Sequence, residues 1–61
     1  MDITAVRFRP DVVEVGFVPS DEPTRNRMRV MGAGMTVADA CWDANRRIGW
    51  RRFRADRIRE V

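Results

Sequence analysis

The chain has 61 residues, 44% of them hydrophobic and 34% charged, and carries a formal net charge of +3. That length supports a single domain, residues 1–61, and excludes a deep catalytic cleft or a large cofactor cavity, because a domain of this size buries only about 60% of the surface its unfolded chain exposes. The apolar content is too high for a disordered tail, and a core giving roughly 3–5 kcal/mol of net stability makes self-association an attractive supplement.

Residues 3–9, ITAVRFR, alternate with the period of a half-buried strand, with Val6 and Phe8 read as the inward set. Pro10-Asp11 breaks the run and can start a turn. Residues 12–18, VVEVGFV, are rich in β-branched side chains and place Val13, Val15 and Phe17 on one face. The two runs are expected to pair as a hairpin, the alternative being one long edge strand kinked at Pro10-Asp11, since Pro cannot donate to a ladder. Residues 19–26, PSDEPTRN, form the one clear loop. Arg27 to Met31 alternates again, predicting a short third strand with Met28 and Val30 inward, stopped by Gly32-Ala33-Gly34.

Thr36-Val37-Ala38-Asp39 predicts a helix start. The Thr36 hydroxyl can cap the Asp39 amide, and Asp39 adds negative charge to the first turn. Val37, Ala40, Cys41, Ala44 and Ile48 then lie on one helical face, Arg46 and Arg47 occupy the last turn, and Gly49 follows at the usual terminating position. The helix is predicted over 37–48. In the remaining segment, WRRFRADRIREV, Arg51 to Ala55 fits a strand with Phe53 and Ala55 inward, while residues 56–61 fit a helical turn as well.

The expected architecture is α+β: a small antiparallel sheet of three to four strands with one packed helix, in the order ββ(β)αβ. Its predicted core is Val6, Phe8, Val13, Val15, Phe17, Val30, Val37, Cys41, Ala44, Ile48 and Phe53. Two exposed edges on so small a sheet point to a homo-oligomer.

All twelve basic residues are Arg, and the chain holds no Lys, His or Tyr. Without His there is no ordinary neutral-pH base or imidazole ligand, and without Lys no Schiff base or phosphate-cradling lysine. One Cys and scattered acids fit no zinc site. Asp39 and Asp43 share a helix spacing but lack the other parts of an active site. The chain is therefore read as a non-enzyme without cofactor or metal. Cys41 is single, so it cannot form an internal disulfide; on the apolar stripe it reads as a small buried hydrophobe, and a reduced, cytoplasmic setting is expected. No leader and no membrane-spanning run is expected from the sequence.

Charge is distributed unevenly. Up to Gly34 five Arg balance five acids; beyond it seven Arg face four acids, so the whole surplus lies in the last 27 residues. Arg46, Arg47, Arg51, Arg52, Arg54, Arg57 and Arg59 form the cluster, interrupted by a single acid, Asp56, with Trp50 and Phe53 inside it. Basic residues interleaved with aromatics are the footprint of a nucleic-acid surface, because Arg meets phosphate and both Arg and Trp stack on bases. The plainer alternative makes Trp50 and Phe53 core, with the arginines simply solvated or covering apolar surface with their stems. A third possibility is an acidic protein surface, with Asp21-Glu22 of a second copy as one candidate. The position of Trp50 separates these: exposed beside the arginines it favours stacking or interface use.

Residues 50–58 resemble the closing motif of WYL domains, bacterial ligand-sensing modules with a small Sm-like barrel, at Arg51, Phe53, Asp56, Arg57 and Ile58. That resemblance implies a regulatory role and makes Arg51 and Arg57 ligand candidates. The chain departs from the family in lacking the Trp-Tyr-Leu tripeptide. Residues 34–40 resemble the strand-to-helix junction of β-grasp sulfur-carrier proteins, but the chain ends Glu60-Val61 rather than in the Gly-Gly that carrier chemistry requires. The Arg-only chain also resembles small accessory proteins of phages of GC-rich bacteria. The function expected is thus a small basic nucleic-acid-binding module of regulatory or accessory type. The alternative is a protein-interaction module, such as a phage-encoded factor that engages a host protein or self-assembles.

Overall fold

The computed structural model describes residues 2–21 and 27–61. Its elements run β1 (Asp2–Arg9), β2 (Val12–Val18), β3 (Arg29–Gly34), α1 (Val37–Ile48) and β4 (Arg59–Glu60). They make one four-stranded sheet in the order β3-β2-β1-β4, with α1 packed on one face over β2 and β3. The α+β class with a single packed helix is as expected. The sheet is mixed rather than purely antiparallel: β1–β2 and β2–β3 are antiparallel, and β4 joins β1 in parallel.

The hairpin forms around Pro10-Asp11, and its register decides which side chains reach the core. Ile3, Ala5 and Arg7 stand opposite Phe17, Val15 and Val13. Cross-strand partners share a face, so Ala5 joins Val13 and Val15 under the helix. Val6 and Phe8 alternate onto the opposite face, where Val6 is half-buried and Phe8 is 43% exposed. The inward assignment of Val6 and Phe8 is therefore corrected. Alternation gave the period of β1, while its phase came from pairing with β2. Arg7 closes the core face at its margin, donating to the Pro10 carbonyl at 3.1 Å and meeting Glu60 at 3.4 Å.

The third strand lies later than predicted, at Arg29–Gly34, and includes the glycines expected to end it. The reason is the approach of the helix. A Cβ on Gly32 would lie 2.6 Å from the Ala40 carbonyl oxygen and 2.7 Å from the Ala44 Cα; on Gly34 it would lie 2.7 Å from the Ala40 amide. Bare backbone on β3 and alanines on α1 let the two elements touch directly. A register shift between Val15 and Gly16 places Val30 opposite Gly16, on the helix-free face, at 43% exposure. Val30 is thus not core, Met28 is half-buried, and Met31 packs against the core instead. The predicted loop lies in part, at 22–26, outside the described residues.

The helix occupies the predicted span. Thr36 accepts from the Asp39 amide at 3.1 Å, and Gly49 adopts φ 73° and donates to the Asn45 carbonyl at 2.9 Å. Ala40, Cys41 and Ala44 are buried, with Val37 and Ile48 packed at the margin. Phe53 completes the core, its ring 5.4 Å from that of Phe17. Burial raises the pKa of the Cys41 thiol, as an apolar surrounding does for any group that must ionise to react.

The final segment follows neither predicted form. Residues 51–54 are irregular, 55–57 make a turn closed by the Arg57 amide on the Arg54 carbonyl at 3.0 Å, and Ala55 is exposed rather than inward. Arg59 and Glu60 then pair with Thr4 and Ala5. The buried Thr4 hydroxyl donates to the Arg59 carbonyl at 2.9 Å, and the Val61 amide donates to the Ala5 carbonyl at 2.7 Å. Among the described residues, no helix is long and apolar enough to cross a membrane.

Candidate functional site

The polar side of α1 positions the site. With the apolar stripe turned to the sheet, Trp42 and Arg46, four residues apart, project together on the outer side. Arg46 lies over the Trp42 ring, its guanidinium carbon 5.3 Å from the centroid, a cation–π distance. Asp43 holds Arg46 there: its Oδ1 accepts from Arg46 Nη2 at 2.7 Å, while its Oδ2 accepts from Arg47 Nε at 3.0 Å and from the Ala33 amide at 3.1 Å. These donors, the Arg46 bond first and the Ala33 amide second, hold the Asp43 carboxyl below the usual aspartate range. Asp43 is a structural clamp between helix and edge strand. Asp39 is exposed in the first turn and makes its bond through its backbone to Thr36.

Asn45 builds the other wall. Its side-chain amide donates to the Phe53 carbonyl at 2.8 Å and accepts from the Phe53 amide at 2.9 Å. This two-point clasp explains why 51–55 is not a strand: the Phe53 peptide is satisfied by a helix side chain rather than by a ladder. The chain from Gly49 to Arg54 is thereby held as a strap beside α1, pinned by Phe53 in the core. Between strap and helix lies an open concavity of about 750 Å³ lined by Trp42, Asn45, Arg46, Gly49, Trp50, Arg51, Phe53, Arg54 and Asp56.

Trp50 is 62% exposed and Trp42 67%, so both indoles of the chain present ring surface to solvent at one groove. Arg51 has no carboxylate partner among the described residues, and Arg54 meets Asp56 at the rim at 3.6 Å. Four of the eight sequence candidates, Arg46, Trp50, Arg51 and Arg54, come together here. The other four do not line it. Arg47 turns to the β3 side through Asp43, and Arg52 lies over the Phe17 ring at 4.9 Å. Arg57 is exposed within the 55–57 turn, and Arg59 belongs to β4. Of the two arginines singled out by the WYL-like motif, Arg51 faces the groove and Arg57 does not.

Sequence reasoning missed Trp42 and Asn45. A visible signal existed for Trp42: a large aromatic outside the apolar stripe and four residues before an Arg. Asn45 had none, because its partner is a backbone peptide eight positions away.

The groove offers two aromatic faces, three guanidinium groups and one carboxylate. The described residues contain no group of three or more His, Cys, Asp or Glu placed to hold a metal, and no buried side-chain polar atom without a partner. No family model matches the chain, and no curated protein or solved structure matches it either.

Proposed function

We propose that this chain is a small, non-enzymatic nucleic-acid-binding module of regulatory or accessory type, acting without a cofactor in a reducing, cytoplasmic setting. The observation that carries the reading is the pair of exposed indoles, Trp42 and Trp50, on the same groove as Arg46, Arg51 and Arg54. An exposed large aromatic is costly to leave in water, and two at one basic groove are what a base-stacking, phosphate-contacting surface requires. The WYL-like tail motif agrees with this through Arg51 alone.

The test is binding of the chain to labelled generic oligonucleotides by anisotropy across a salt series. Three arginines on phosphate give a log–log salt slope of about −2 to −3. Arg51→Ala with Arg54→Ala should flatten it by about one to two. Absence of binding even at low salt refutes the reading and leaves an acidic protein surface as the partner to seek.

A second reading, self-association, is favoured by the sheet order, which among the described residues places β3, carrying the exposed Val30, at the edge of the sheet. Sedimentation over a wide concentration range tests it, and a monomer at every concentration refutes it. Of the acidic pair first considered for such a contact, Asp21 is exposed and Glu22 lies outside the described residues.

A further inference from the structure

We infer that the ligand of the Trp42–Trp50 groove is single-stranded nucleic acid, a base stacking on Trp50 while the flanking phosphates meet Arg51 and Arg54. This rests on the nucleic-acid reading above and specifies the ligand class.

Strandedness follows from what the site displays. An indole standing in solvent is useful to a base only if that base also has a free face. In a duplex both faces of each internal base are covered by its neighbours, whereas an unpaired strand can splay its bases out onto aromatic platforms. Trp50 has no cation stacked on it among the described residues, so its ring is available. One ring face of Trp42 is already occupied by Arg46, which Asp43 fixes in place. The two indoles are therefore unequal, Trp50 the primary platform and Trp42 the second.

Shape agrees. The site is a concavity of about 750 Å³, within the roughly 300–1,000 Å³ that accepts a small-molecule-sized occupant. It suits a stretch of one or two nucleotides; a duplex presents a wide convex surface that would span the rim without filling the groove.

The helix also argues against duplex reading. A helix entering the major groove usually contacts bases through its N-terminal residues. The N-terminal half of α1 offers Val37, Ala38 and Asp39, with the only formal charge negative and near where phosphates would pass. The cations sit at the opposite end, Arg46 facing the strap and Arg47 the β3 side.

The experiment uses the whole chain, whose only two tryptophans line the site, so intrinsic emission reports on the groove directly. Oligothymidine, oligouridine and a closed DNA hairpin duplex are titrated in parallel at low salt, reading indole quenching and the anisotropy of the labelled strand. The expected result is quenching by the single strands, with affinity at least about tenfold above the duplex. The thymidine and uridine arms tell DNA from RNA. Trp50→Ala should weaken single-strand binding by roughly 5- to 150-fold with duplex binding unchanged, and Trp50→Phe should recover most of it. Trp50 is exposed, so both variants should keep the parent's circular dichroism. Equal or tighter duplex binding, or a Trp50→Ala variant that binds single strands normally, overturns the inference while leaving nucleic-acid binding in place. Binding to none of the three probes overturns both.

Discussion

Replacing Asn45 with Ala should unfasten the strap without touching the helix itself. Asn45 makes two hydrogen bonds of near-ideal length to one peptide, at 2.8 and 2.9 Å, in a part-buried setting. Neutral hydrogen bonds contribute about 0.5–1.5 kcal/mol each, so their joint loss costs about 1–3 kcal/mol. Alanine is a slightly better helix former than asparagine and offsets a few tenths of that. For a domain whose whole net stability is roughly 3–5 kcal/mol, this is a large share. At about 4–8 °C per kcal/mol for a chain this short, a loss of about 2 kcal/mol lowers Tm by roughly 8–16 °C. Urea unfolding followed by far-UV circular dichroism is the assay to use, because both indoles are already largely in water and their emission would report unfolding poorly. Asn45→Asp keeps the acceptor for the Phe53 amide but turns a carboxylate oxygen against the Phe53 carbonyl near the helix C-terminus, so at neutral pH it should cost at least as much as Asn45→Ala. An Asn45→Ala midpoint within about 0.5 kcal/mol of the parent would refute the clasp as the strap's anchor.

Four further expectations concern stability and reactivity. Gly49→Ala places a side chain at φ 73° with open space around it, so it should cost about 1–2 kcal/mol of pure backbone strain. Gly32→Ala should cost more than Gly49→Ala and lower the cooperativity of melting, since its Cβ would run into α1 backbone; equal Tm shifts would sink the close-packing account. The Asp43 carboxyl ionises below its unfolded value, so its contribution is fully present at neutral pH. It begins to fade as pH falls through the ordinary aspartate range near ~4, and is lost below the depressed folded value. Asp43→Asn should therefore melt lower than the parent at pH 7 and approach it in acid, and a constant gap between them would show the ion pairs to be inert. Cys41 should react with a thiol reagent at a rate set by opening of the fold, orders of magnitude below its rate in urea; rapid native labelling would contradict its burial.

The helix was legible to the residue because its signals are local: a hydroxyl cap, a stripe at helical spacing and a terminating glycine all act within one turn. The hairpin was legible for the same reason, but the phase of β1 was not. Val6 and Phe8 look more like core than Ala5, yet the pairing with β2 puts the smaller side chain under the helix. Gly32 and Gly34 read as breakers because a sequence does not display the helix that crosses them. The basic cluster was visible as composition, but its division into groove and bystanders was not. That division depends on Asn45 fixing the strap, a contact outside the helix that leaves no periodicity, and on Asp43 drawing Arg47 away, an i,i+4 pair on the helix whose direction is set by the Ala33 amide of the edge strand.

The parallel pairing of β4 with β1 also sets an order of events in folding. Thr4 and Arg59 are 55 positions apart, and closing so long a loop is slow compared with forming the hairpin or the helix, whose contacts are local. Two paired residues repay little of that entropy, so β4 should be the last piece to dock and the first to fray. Amide exchange at Arg59 and Val61 would then outrun exchange in β2 by a wide margin. The strap, clasped at Phe53 upstream of this weak seam, should keep its shape through such openings, so that the groove and the last strand open as separate units.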